Sequence, residues 1–141
     1  MNIDAWSYEV WTRTVWMEAR GESPLGRSMV AYSIYNRFVS GKWYSATTIA
    51  GVCMKDQQYS CWNAARDDNN REAMNALAED DPVLAECRGE VDGVLEGEED
   101  PTGGATHYHD VRLPQTPSWA LDPQAVFIVQ EGHHKFYKGV K

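Results

Sequence analysis

The chain has 141 residues, enough for one hydrophobic core and too few for two independent ones. Hydrophobic residues make up 43% and charged residues 24%, and no run approaches the ~18 apolar residues of a spanning helix, so a disordered tail and a membrane-inserted protein are excluded. Thirteen Lys and Arg against twenty-one Asp and Glu leave a net charge of −8, which argues against nucleic acid or an anionic membrane as partner.

Met1 to Trp6 lacks the basic and apolar segments of a secretory signal, so the chain is expected to stay in the compartment where it is made. From about Trp6 to Arg20, at ~100° per residue, Trp6, Val10, Trp11, Thr14, Met17 and Glu18 fall within one ~140° arc and Arg13 and Arg20 lie outside it. That pattern predicts an amphipathic helix with a carboxylate on the edge of its apolar stripe. Gly21 is expected to take the left-handed conformation that ends this helix, and Ser23-Pro24 supplies an N-cap and a first-turn proline for the next. The second helix carries Leu25, Met29, Val30, Ile34 and Phe38 and ends near Ser40-Gly41.

Lys42 to Asn70 has no strong period, apart from a short helix at Ile49 to Met54. The run Asp56-Gln57-Gln58-Tyr59-Ser60-Cys61-Trp62-Asn63 is the kind of long polar loop, set with aromatics, that usually carries function in a small domain. Helices are predicted at Arg71 to Ala78 and at Pro82 to Leu95. Asp81-Pro82 caps the latter, and its buried stripe is Leu84, Cys87, Val91, Val94 and Leu95. After Gly97 comes the turn cluster Asp100-Pro101-Thr102-Gly103-Gly104. Strands are expected at Ala105 to His109, at Ala125 to Gln130 and, beyond the break at Gly132, at His133 to Tyr137. Helices first and strands last predict an α+β domain, a mainly helical body with a small C-terminal antiparallel sheet or hairpin.

Cys53, Cys61 and Cys87 are odd in number and form no CxxC pair, so reduced, partly buried thiols are expected, with a Cys53–Cys61 bridge as the alternative. Six Trp and seven Tyr are many for this length; Trp6, Trp16, Trp43 and Trp119 are assigned to packing, although aromatic faces also suit sugar rings.

The sharpest chemical feature is Glu18-Ala19-Arg20-Gly21-Glu22. Partial burial and the negative end of the helix dipole would both disfavour ionisation of Glu18, making it fit to protonate a leaving-group oxygen. The plain alternative is a surface pair with an arginine such as Arg20. Glu22, near the start of the next helix, should stay ionised more readily, so the two carboxyls suggest an acid and base pair unless Glu22 is only a dipole partner.

Those five residues, with Gly26, Asn36-Arg37, Gln58-Tyr59-Ser60-Cys61-Trp62, Asp100 to His109 and Gly132-His133-His134-Lys135-Phe136-Tyr137, in that order, resemble the SleB/CwlJ-type cell wall hydrolases. The resemblance spans about Trp11 to Tyr137. It implies a lysozyme-like fold over residues 1–141 as a single catalytic domain that cleaves peptidoglycan glycan strands, with no cofactor and no metal. Glu18 matches the family's catalytic acid. It would protonate the oxygen bridging N-acetylmuramic acid and N-acetylglucosamine, then act as base on the muramic acid 6-hydroxyl to leave a 1,6-anhydro sugar. Glu22 would hold Arg20 or the substrate. Gln58, Tyr59 and Ser60 are assigned to hydrogen bonds with substrate acetamido or hydroxyl groups, unless Tyr59 and Trp62 merely fill the core beneath the loop. His107, Tyr108 and His134 complete the substrate-binding set, Tyr108 through its hydroxyl and His134 by orienting a partner.

The lack of a wall-binding domain and of a secretory signal suggests, by analogy, a bacteriophage endolysin: a monomer kept in the host cytoplasm until a holin releases it to the wall. A hydrolytic muramidase is the nearest alternative. His107-x-His109 and His133-His134, with Asp110 or a cysteine, suggest a zinc amidase or peptidase, but no HExxH spacing is present and adjacent strand histidines point to opposite faces. A non-catalytic wall-binding module would leave Glu18 without a task.

Overall fold

A computed structural model describes residues 3–55, 58–62 and 69–141. Helix α1, Ala5–Ala19, starts where the Asp4 carboxylate accepts the Ser7 N–H at 2.7 Å. It packs against α2 (Pro24–Ser40), α3 (Ile49–Met54), α4 (Asn69–Asn75) and α5 (Pro82–Leu95). Enclosed on several sides, α1 is buried well beyond the predicted arc: Thr12, Val15, Trp16 and Ala19 are buried as well as Val10, Trp11 and Met17. Its buried threonines are tolerated because the Thr12 and Thr14 hydroxyls donate back to the Glu9 and Val10 carbonyls, at 3.1 and 2.6 Å. Trp6, expected to pack, is 63% exposed on the first turn, and Trp43 and Leu25 are exposed as well.

The end of α1 also departs from expectation. Gly21 is not among the glycines with positive φ; the helix is closed by Arg20 N–H to the Trp16 carbonyl and Glu22 N–H to the Ala19 carbonyl, both 2.9 Å. The α1–α2 corner is then held from below. The buried Arg27 guanidinium donates to the Glu22 carbonyl at 2.8 Å and pairs with Glu86 and Glu90 of α5. Ser23 caps α2 through the Gly26 N–H at 3.0 Å and the helix ends at Ser40, both as predicted, with Gly41 beyond it in the left-handed conformation.

Helix α4 begins two residues ahead of the predicted Arg71 and stops at Asn75. A single 3-10 turn covers Ser60–Trp62. The predicted functional loop is thus described only in part, since Asp56, Gln57 and Asn63 lie outside the described residues. All three cysteines are buried thiols and Cys53 is not bridged to Cys61. Helix α5 has its predicted bounds, and Asp81 caps it by accepting the Val83 and Leu84 N–H groups.

Strands β1 (His107–Asp110), β2 (Val126–Glu131) and β3 (His134–Lys138) form an antiparallel sheet in the order β1-β3-β2, each beginning one or two residues later than predicted. A short helix not foreseen in the sequence, α6 (Ser118–Leu121), lies between β1 and β2. Tyr108 pairs with Phe136 and Asp110 with His134, so the period of two puts Tyr108, His134 and Phe136 on one face. His107, His109 and Tyr137 take the other face with Trp119. The sheet is joined to the body by a polar staple. Asp100 accepts the Thr102 and Gly104 N–H groups and the Asn36 amide, and that amide also donates to the Ala105 carbonyl, at 2.9 Å. Gly103 and Gly104 have φ of 65° and 97°, a turn that a side chain would strain.

Candidate active site

Glu18 sits in the last turn of α1 and lines an open cleft of about 360 Å³. The cleft runs along the α1–α2 corner to Glu22 and is closed on the sheet side by Asp110, Arg112, His133 and His134. From β1 the Tyr108 hydroxyl donates to Glu18 Oε1 at 2.5 Å. Burial, then the Glu18 charge, push the Tyr108 hydroxyl well above its ordinary pKa, so it remains a donor throughout the working pH range.

Glu22, four residues on, has a different setting. Its side chain is 6% exposed, and Oε1 accepts the His133 N–H at 2.8 Å while Oε2 meets His133 Nδ1 at 2.9 Å. Burial works to raise its pKa, but the two His133 hydrogen bonds and the nearby imidazoles outweigh it and hold the carboxyl below its usual value. Glycines make room for it: a Cβ on Gly132, where φ is +57°, would stand inside 3.0 Å of Glu22 Oε1. The β2–β3 turn is thereby fixed to the α1–α2 corner. The expectation that Glu22 stays ionised agrees in direction, although the hydrogen bonds come from the sheet.

Asp110 is likewise engaged. Arg112 donates to both of its oxygens, at 2.9 and 2.6 Å, and this side-chain pairing, against the effect of burial, lowers the Asp110 pKa to about 2. His134 is 5% exposed; burial lowers its pKa, leaving a neutral ring whose Nδ1 has no partner among the described residues. Its ring centroid lies 4.8 Å from that of Tyr108.

The other predicted site residues gather elsewhere. Gln58, His107 and Tyr108 line a second pocket of about 240 Å³, with Arg37, Trp43 and Trp119. Gln58 Oε1 accepts from Arg37 Nη1 at 2.8 Å, and His107 Nδ1 is 2.8 Å from the Thr106 hydroxyl. Burial, then Arg37 and Lys42, lower the His107 pKa to about 3, so this ring is neutral too. Tyr59 is 2% exposed, with no hydrogen-bond partner for its hydroxyl among the described residues and its ring 5.3 Å below Arg37, in the position of a core residue. Ser60 is half-buried and lines neither cavity. The four histidines do not converge: His107 and His109 share one face of the sheet, His134 lies on the other, and His133 is taken by Glu22. Among the described residues no group of three or more His, Cys, Asp or Glu side chains is placed to hold a metal.

Arg37 and Arg112 have no role assigned from the sequence, and Trp119, assigned there to packing, lines the second pocket. Arg37 did carry a signal, since Val30, Ile34 and Arg37 follow helical spacing and put a cation on a buried stripe, much as Glu18 stood out on α1. Arg112 needs the strand end that pairs it with Asp110, and Trp119 needs α6; neither was evident from periodicity.

A family model described as Cell Wall Hydrolase matches residues 21–137. That match begins three residues after Glu18, so the assignment of Glu18 rests on its place in the cleft. No curated protein matches the chain. Among solved structures, the catalytic domain of the Bacillus cereus SleB protein is 23% identical, with a TM-score of 0.73, covering 97% of this chain and 93% of that one. The catalytic domain of the germination-specific lytic transglycosylase SleB from Bacillus anthracis is also 23% identical, with a TM-score of 0.72 and coverage of 97% and 98%. The helical body with its three-stranded sheet is the fold of those domains.

Proposed function

Since the chain belongs to the cell wall hydrolase family, we propose that it is a lytic transglycosylase acting on the bond between N-acetylmuramic acid and N-acetylglucosamine in peptidoglycan, with residues 1–141 as one catalytic unit. The observation that carries this reading is the place of Glu18, in the last turn of α1 and in the wall of the cleft, with the Tyr108 hydroxyl donating to its Oε1. Glu22 is engaged by His133 and Asp110 by Arg112, and Glu18 is assigned the proton transfer.

One such group suffices for a transglycosylase, whereas an inverting hydrolase needs a second carboxylate to activate water. Glu18 gives its proton to the bridging oxygen as the bond from that oxygen to the muramic acid C1 breaks, freeing the 4-hydroxyl of N-acetylglucosamine. The muramic acid 6-hydroxyl then attacks C1 and returns its proton to Glu18, and no water is consumed. Tyr108 orients the carboxyl, Glu22 and His134 shape the cleft wall against the substrate, and Gln58 and His107 contact it from the second pocket. Ser60 acts from the adjoining loop, with Tyr59 supporting Arg37 from beneath.

Mass spectrometry of released muropeptides tests the reaction. Anhydro ends, one water lighter than reducing ends, are the expected product. Reducing muramic acid ends would make the protein a muramidase, and free peptides would make it an amidase or peptidase. Its biological setting is proposed as host lysis by a monomer kept in the cytoplasm until a holin opens the way. Expression with a holin should lyse cells, and expression without one, or of Glu18→Gln with one, should not.

A further inference from the structure

Tyr108, whose hydroxyl donates to Glu18 in the cleft, also lines the second pocket, yet the two cavities differ in charge. Three carboxylates line the cleft, and among the described residues no Asp or Glu side chain lines the pocket, in a chain whose net charge is −8. Arg37 lies at its base with 6% exposure, and no carboxylate lies within 4 Å of its guanidinium among the described residues. Its Nε donates to the Thr106 carbonyl at 2.5 Å and its Nη1 to Gln58, while Nη2 has no protein acceptor among the described residues. A buried guanidinium with no carboxylate partner among the described residues is an incomplete arrangement, because such charges are ordinarily paired. Trp43 and Trp119 flank the pocket with apolar surface, and Lys141 stands at its edge.

We propose that this second pocket is a subsite for a carboxylate carried by the substituent on the muramic acid, with Arg37 as its charge partner and Gln58 and His107 beside it. This rests on the peptidoglycan reading above and extends it from the scissile bond to the group that hangs from the sugar. Two sources share that chemistry: a carboxylate of the stem peptide, or the bare lactyl carboxylate once the peptide has been removed.

Binding distinguishes them without turnover. The Glu18→Gln chain is titrated calorimetrically with three glycan fragments: one bearing stem peptides with free carboxylates, one with those carboxylates amidated, and one stripped to the lactyl group. At least one carboxylate form should bind about tenfold more tightly than the amide, the scale of one charge-assisted hydrogen bond. The net charge of the protein alone would favour the amide instead. Gln58→Glu, placed against Arg37, should erase the preference; Trp119→Glu serves if the first variant melts early. Equal affinities for all three fragments would overturn the proposal, and so would a preference that survives the introduced glutamate. In the latter case its loss in Arg112→Ala would move the anion to the cleft. Failure of the wild-type chain to release fragments from any of the three would instead sink the reaction assigned above, leaving the binding comparison readable.

Discussion

In the helical body α1 is enclosed by its neighbours, with Trp11, Val15, Val30, Leu84 and Val91 fully buried, whereas the sheet turns Tyr108, His134 and Phe136 to the body and leaves Val126 and Phe127 of its edge strand about half exposed. The body contributes apolar burial and one acid at a helix end. The sheet contributes little apolar core, and its polar groups find their partners across more than 80 residues of sequence, as Tyr108 does with Glu18 and His133 with Glu22. Stability and chemistry therefore fall largely to different regions. Damage to the body should unfold the protein, and damage to the inner face of the sheet should leave a folded protein with a misaligned site.

The largest effect is expected at the one body residue with a chemical task. Glu18→Gln keeps the shape and an acceptor for Tyr108 but removes the titrating proton, so turnover of purified peptidoglycan should fall by about 10²–10⁴-fold with the melting temperature nearly unchanged. Substantial residual activity would remove Glu18 from the mechanism. Trp11→Ala tests the opposite half of the comparison. Trp11 is fully buried and donates its indole N–H to the Ala31 carbonyl at 3.3 Å, so denaturant unfolding should show a loss of about 3–5 kcal/mol. Tyr108→Phe then separates the regions most directly. It deletes one hydroxyl from the sheet and should lower kcat about tenfold with little change in KM, the cost of one hydrogen bond to a charged group in the transition state. A large stability loss in this variant would mean that the sheet supports the body after all.

The same division governs what could be foreseen from sequence. Helices α2 and α5 were legible because Ser23-Pro24, Gly41 and Asp81-Pro82 are local signals that act within a few residues. Glu18 stood out because a carboxylate on an apolar stripe is a local anomaly. By contrast, the all-round burial of α1 depends on what surrounds it, and a single-helix projection sees one stripe only. The separation of His107 from His134 and the occupation of Glu22 by His133 depend on strand register and on the Gly132 turn. Register couples residues far apart in sequence, and no local period encodes which imidazole meets which carboxylate. Tyr59 shows a further limit: a tyrosine in a polar loop reads equally as a substrate ligand or as core, and the fold decides by burying it beneath Arg37.

The smallest expected effect is the pH response of the contact that joins the two regions. The folded pKa of Glu22 lies below its ordinary value of 4.5, so the stability it contributes is complete above that value and is lost as the pH falls through the depressed one. Asp110, held by Arg112, behaves in the same sense over a lower window, from 3.8 down to about 2. The melting temperature of the wild type should therefore decline on acidification below about pH 4.5, first through Glu22 and then through Asp110. Glu22→Gln should begin from a lower melting temperature and decline less over the upper part of that range, because the amide cannot be protonated away from His133. The shift should be modest, since the body keeps its apolar burial while the β2–β3 turn comes loose from the α1–α2 corner. Activity should be lost ahead of the fold in that window, because the turn carries His134 into the cleft wall. Parallel acid profiles in the wild type and Glu22→Gln would show that the Glu22–His133 contact is not what joins sheet to body, and the join would then rest on the Asp100–Asn36 staple.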